Sequence, residues 1–165
     1  MNLTEASTLP RFGLKGRAAP DWLAGQGITL PQQPNTWLAL ADHGRVLRLG
    51  RSEYLLEGEV ADQLQAAWQD GLRDLYRVPR YDAAFVLDGE TALTLLQEIC
   101  ALDTRPQAME NKVLMTMAAG ISVTLVCETN GASPIYRLWC DGTYGDYMQN
   151  TLQQISGSHA PGRHP

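Results

Sequence analysis

Two spacings of apolar residues alternate along this chain, and the change from one to the other marks its elements. In residues 11–16, Phe12 and Leu14 fall on one side and Arg11, Gly13 and Lys15 on the other, the period-two signature of a half-buried strand. Pro20 then suits the first turn of a helix, Trp22 and Leu23 give it an apolar side, and Gly25 and Gly27 end it. Pro31 and Pro34 make 28–35 a loop. Residues 37–59 read as three strands, turning first at His43-Gly44 and again at Gly50-Arg51-Ser52. Over 59–72 the period lengthens. Val60, Leu64, Ala67, Trp68 and Leu72 recur at helical spacing, with Asp62, Gln63, Gln65, Gln69 and Asp70 facing away.

The second half repeats the order. Residues 83–89 form an apolar strand, and a helix starts at Thr91, an N-cap residue type. Ala92, Leu95, Leu96, Ile99 and Cys100 give the clearest helical period in the chain, which Pro106 breaks. Residues 112–128 read as two strands around an Ala118-Ala119-Gly120 turn, 134–140 as another strand, and about 143–155 as a last helix. That helix is expected to carry Tyr144, Tyr147, Met148, Leu152 and Ile155 on one face. The polar residues 1–9 read as a flexible N-terminus and 157–165 as a disordered tail.

Residues 15–27 align on 88–100 at a fixed offset of 73, placing Gly16 on Gly89, Ala19 on Ala92 and Leu23 on Leu96. Chance recurrence of glycine turns between strands and helices would give a similar pattern. Two related units are the reading taken, because some 80 residues alone make a marginal core. The expected fold class is α+β: two tandem β-α-β-β-β-α subdomains, residues 10–78 and 79–156.

Composition narrows the function classes. At 44% apolar and 19% charged residues, the chain can build a core. A formal net charge of −5 argues against nucleic acid as a partner, and no apolar run reaches the ~20 residues of a membrane span. No apolar leader follows the N-terminus, so a cytoplasmic location is expected. Three cysteines without CxxC spacing fit neither a disulfide framework nor zinc, so Cys100, Cys127 and Cys140 read as small core residues. Of the three histidines only His43 lies away from the tail, in a turn. Walker A, GxGxxG, HExxH and GxSxG patterns are missing. Gly142–Gly145, before the last helix, offers at most an anion-binding N-terminus.

Charge divides by half. Residues 1–80 hold nine bases and nine acids, whereas 81–165 hold four bases and nine acids. The bases of the first half come in threes: Arg11/Lys15/Arg17, Arg45/Arg48/Arg51 and Arg73/Arg77/Arg80. They read either as solvated edges or as an Arg-rich docking face or anion site.

In combination, the segments RFGLKGRAAPDWLAGQGI, PNTW and LRLGRSEYLLEGE resemble the N-terminal half of the gamma subunit of heterotetrameric sarcosine oxidase. GETALTLLQEICALDTRP and YRLWCDGTYGDYMQNTL resemble the rest of that subunit, and the whole of about 9–155 is similar to the folate-binding domain of the glycine-cleavage T-protein, an aminomethyltransferase. The most distinctive stretch is Leu49-Gly50-Arg51-Ser52-Glu53-Tyr54-Leu55-Leu56. The resemblance implies a subunit of a complex that oxidatively demethylates sarcosine or a related N-methyl amino acid. FAD, FMN and NAD would then belong to the alpha and beta subunits and zinc to the delta subunit. The gamma subunit would be a structural partner docked on alpha, with no catalytic residue, cofactor or metal of its own. In the T-protein pattern a Gly-x-x-Asp segment brings an acid to the folate amine. The matching stretch here is Gly120-Ile121-Ser122-Val123, without an acid. Amine chemistry needs a carboxylate to orient and stabilise a cationic nitrogen. The alternative is a stand-alone protein of one-carbon transfer that binds tetrahydrofolate.

Docking anchors are expected to be aromatic and arginine side chains. The candidates are Trp37, placed after a proline-rich loop, with Arg51 and Tyr54 in the hairpin that carries the resemblance.

Overall fold

A computed structural model describes residues 1–89, 91–130 and 133–158. The chain divides into two compact units, each an antiparallel five-stranded sheet with helices on one face. The first unit comprises residues 8–80 and 111–113, and the second comprises 1–7, 81–110 and the described residues from Leu114 on.

In the first unit the elements are β2 (Arg11–Lys15), α1 (Ala19–Gly25), β3 (Thr36–Ala39), β4 (Arg45–Arg48), β5 (Glu53–Glu57), α2 (Glu59–Ala67) and β6 (Tyr76–Val78), in the sheet order β3-β4-β5-β2-β6. In the second they are β1 (Asn2–Glu5), β7 (Asp82–Asp88), α3 (Ala92–Ile99), β8 (Leu114–Ala118), β9 (Ile121–Asn130), β10 (Ser133–Asp141) and α4 (Gly145–Ser158), in the order β1-β7-β10-β9-β8. The mixed α+β class is therefore as the sequence predicts.

The two units match strand for strand. Phe12 and Leu14 of β2 sit opposite Leu56 and Tyr54 of β5, and Phe85 and Leu87 of β7 sit opposite Leu138 and Tyr136 of β10. All eight side chains are sealed from solvent. The offset of 73 thus extends back through Phe12/Phe85 and Leu14/Leu87. It also holds in the backbone: Gly16 and Gly89 both take positive φ, and Ala19 and Ala92 each donate their N–H to that glycine's carbonyl at 3.0 Å.

Gly16 has no room to change. Its φ is +127°, and a Cβ there would stand 2.1 Å from the Asp74 carbonyl oxygen. Gly16→Ala is expected to cost about 2–3 kcal/mol in urea unfolding. Gly25→Ala is the control: it adds a methyl to a helix with nothing within 4 Å, and should be neutral or stabilising by up to about 1 kcal/mol. Equal melting temperatures for the two variants would remove the steric argument.

Several elements differ from expectation. Residues 2–5 are a strand, not a flexible N-terminus: β1 pairs with β7 from Asn2–Asp88 to Glu5–Phe85. The boundaries 10–78 and 79–156 shift accordingly, since 1–7 complete the second unit's sheet and 111–113 join the first unit. Helix α2 stops at Ala67, where Trp68 turns extended and donates its indole N–H to Asp70 at 2.8 Å. In α4, Met148 and Leu152 are buried, but Tyr147 is half exposed, and Tyr144, also about half exposed, lies in the 142–144 turn before the helix. Of the expected tail 157–165, residues 157–158 finish α4 and 159–165, with His159 and His164, lie outside the described residues.

Candidate functional site

The charged groups of the first unit are the natural place to look for chemistry, and most of them hold the fold together. Cross-strand register sets Glu57 of β5 between Arg11 of β2 and Arg45 of β4. The Arg11 Nε donates to Glu57 Oε2 at 2.9 Å, Arg45 Nη1 donates to Oε1, and Arg45 Nη2 reaches the His43 carbonyl at 3.1 Å. The three charged side chains are at most 5% exposed. Inside a sheet face such a triad is held by mutual pairing, because each charge would be costly alone.

Arg48 serves as a backbone clamp. It donates to the carbonyls of Pro31, Gln32, Gly50 and Arg51, so it ties the proline loop to the β4–β5 turn, and its guanidinium lies 5.7 Å from the Tyr54 ring centroid. Arg77 lies 3.7 Å from the centre of the Phe12 ring, in a cluster with Trp22 and Trp68, and bonds to Gln65. Burial lowers its pKa. Arg17 pairs with Asp74 at 2.6 Å. These arginines each bond a group of the fold itself, so they are not a uniform solvated edge. They are cross-braces.

The expected docking anchors are not one surface. Trp37 is 7% exposed, because its row of the sheet continues through Leu47 and Leu55, both closed to solvent. Tyr54 is 1% exposed, packed on the helix side with Leu14 and Leu56. Its hydroxyl pKa is raised by burial, against the opposing pull of Arg48. Only Arg51, at the tip of the turn, is exposed. A proline loop suggested exposure for Trp37, and strand register overrides it.

In the second unit the expected turn is present: Ala119 and Gly120 take φ of 50° and 81° between β8 and β9. Val123, the position matching the acid of the T-protein pattern, is 4% exposed and belongs to the core with Leu125 and Leu138. The 142–144 turn is capped from within, because Asp141 accepts the Thr143 N–H at 2.9 Å and its hydroxyl at 2.6 Å. Those two bonds lower the Asp141 pKa. An internal carboxylate thus takes the N–H that an anion at this turn would need. Tyr136 donates its hydroxyl to the Thr104 carbonyl at 2.8 Å, and burial raises its pKa.

Cys100, Cys127 and Cys140 are buried free thiols, as the sequence predicts. Burial pushes Cys127 and Cys140 up to about 11. At pH 8 only on the order of one such thiol in a thousand is a thiolate, so folded protein should resist a thiol reagent that labels it fully in urea. The folded thiols hold their protons more tightly than the unfolded ones, whose ordinary value is 9.0. Their contribution to stability is therefore complete below pH 9 and is lost as pH rises through about 11. Melting temperature should fall over that window, and less so in Cys127→Ala/Cys140→Ala. Prompt labelling at pH 8 would contradict this.

Among the described residues each unit has a cleft on its surface. The first, of about 560 Å³, lies between the end of α1, β3 and the start of α2, with Gln26, Asp42, Glu59 and Gln63 around Ile28 and Leu40. The second, of about 440 Å³, runs over β8, β9 and β10, with Met115, Met117, Ser122 and Trp139 along it and Asp82 and Asp141 at its end. The second lining includes Ser122 and Val123 of the stretch matched to the T-protein acid segment, and Cys140; that the other lining residues join them depends on register. Among the described residues no three His, Cys, Asp or Glu side chains gather as metal ligands would, and no helix is long and apolar enough to cross a membrane.

No protein-family model matches the chain, and no curated protein matches its sequence. Among solved structures, the glycine cleavage system aminomethyltransferase T from Bartonella henselae superposes with a TM-score of 0.68 over 93% of this chain, at 12% identity. The chain spans 45% of that protein's length. The fold is therefore aminomethyltransferase-like.

Proposed function

We propose that this chain is a non-catalytic, gamma-like subunit of a flavin-dependent complex that oxidatively demethylates sarcosine or a related N-methyl amino acid. The observation that carries the reading is Val123. The position that would bring an acid to the folate amine holds an apolar side chain built into the core. A scaffold that has lost its charge at that point can still pack, but has no carboxylate there to steady a cationic nitrogen. The large alpha subunit, with beta and delta, would supply FAD, FMN, NAD and zinc.

The purified chain should be colourless and without amine oxidase activity. A stoichiometric flavin spectrum from the chain alone would overturn the accessory reading. The aminomethyltransferase-like fold keeps tetrahydrofolate as the second reading. Isothermal titration separates the two: the accessory subunit should bind tetrahydrofolate weakly or not at all, whereas one site of micromolar or tighter affinity favours a stand-alone one-carbon protein.

A further inference from the structure

A sheet edge left open with a neutral, apolar sequence is a template for another strand, and proteins usually blunt such edges with charge, proline or cover. Three of the four edges here are managed. β1 carries exposed Glu5 and a single large apolar residue, Leu3. β3 is covered by 111–113, with Trp37 N–H on the Asn111 carbonyl at 3.0 Å and Val113 N–H on the Asn35 carbonyl at 2.8 Å. β6 is three residues long with Arg77 at its centre. β8 differs. Its sequence, Leu-Met-Thr-Met-Ala, has no charge and no proline, and Met115 and Met117 are 50% and 53% exposed.

The backbone of β8 points the same way. Ala118 and Ile121 flank a two-residue turn, so they form a hydrogen-bonded pair, and Thr116 with Val123 forms the next. The alternate residues, Met115 and Met117, therefore turn their backbone groups away from β9. Beyond them, Ala119 N–H bonds outward to the Ile99 carbonyl at 2.9 Å and an antiparallel bridge joins Cys100 to Ala118, which closes that end of the edge from the Met117 carbonyl on; among the described residues the backbone groups of Met115 and the N–H of Met117 stay open.

We propose that the open edge of β8 receives an extended, alternately apolar segment of a partner protein as a sixth strand, and that this segment is flanked by basic residues. Met115 and Met117, flexible and polarizable, would pack against its apolar side chains beside the cleft of about 440 Å³. The basic flanks follow from charge. Residues 81–165 hold nine acids against four bases, and exposed Asp141 lies at the end of that cleft. The same excess opposes edge-to-edge pairing with a second copy of this chain. The inference rests on the accessory-subunit reading only for the partner's identity.

The test uses the full chain, 15N-labelled, with two synthetic peptides: acetyl-Lys-Val-Thr-Val-Thr-Val-Lys-amide and its counterpart with Glu for Lys. The lysine peptide should slow amide exchange at Met115 and Met117 by about tenfold or more, and the glutamate peptide should not. Met115→Pro removes one outward N–H, a change edge strands tolerate, and Met117→Lys adds a blunting charge. Both should keep the wild-type circular dichroism and lose the effect. No slowing with either peptide would overturn the proposal, as would equal slowing with both. Sedimentation showing a dimer with the same amides protected would make the occupant a second copy, which also overturns it. If flavin subunits co-purify as well with Met115→Pro as with wild type, the surface is wrong while the accessory reading stands. Peptide binding without any flavin partner means the opposite: the surface stands and the accessory reading fails.

Discussion

Glu57→Ala should be among the most damaging single substitutions in this chain, costing about 3–5 kcal/mol in urea unfolding. The carboxylate is 1% exposed and sits between Arg11 and Arg45. Its removal leaves two guanidinium groups buried beside a space that held their shared counter-charge. Against a typical total stability of about 5–15 kcal/mol, this would leave much of the protein unfolded on mild warming. The same physics predicts a rescue. The triple variant Arg11→Met/Arg45→Leu/Glu57→Leu takes all three charges out of the interior and should recover most of the loss, because a well-packed apolar replacement avoids desolvation altogether. A loss below about 1 kcal/mol for Glu57→Ala would mean that water reaches the triad in solution.

Trp37→Ala should cost about 3–5 kcal/mol, as large-to-small changes at closed aromatic sites do. The indole is 7% exposed and continues a sheet row through Leu47 and Leu55. Its Nε1–H is buried with no hydrogen-bond partner among the described residues. That orphaned donor gives the site a second signature. Trp37→Phe gives up ring volume but also removes an unsatisfied N–H, whose burial costs about 1–3 kcal/mol, so its net loss should stay under about 1.5 kcal/mol. Denaturant midpoints for the two variants check this. Equal, small effects would restore Trp37 to the list of surface anchors.

Local chemistry was legible in the sequence wherever a short window decides the outcome. The period of Ala92, Leu95, Leu96 and Ile99 yields α3, the alternation of Phe12 and Leu14 yields β2, and Ala119-Gly120 yields a hairpin. The internal repeat was legible too, because one register of glycines and apolar residues recurs. Contacts between distant residues were not. β1 has one large apolar residue in four, and its partner β7 lies some 80 residues on, so nothing local marks it as a strand. α2 carries its helical period through Trp68 and Leu72, but the Gln69-Asp70-Gly71 stretch, with Gly71 at φ 84°, ends it first. Arg11, Arg45 and Glu57 become one group only when β4, β5 and β2 align in register. The clefts share that cause, since strand pairing decides which face Met115, Ser122 and Trp139 share.

The accessory-subunit reading stands or falls on what holds this chain in its own cell. A tagged copy, expressed at its native level and purified gently, can be weighed intact by native mass spectrometry and its absorbance recorded. The account predicts a hetero-oligomer with larger flavin-bearing subunits, yellow in colour and able to oxidise sarcosine or a related N-methyl amino acid. Recovery of the chain by itself, carrying a stoichiometric tetrahydrofolate and no flavin protein, would contradict it.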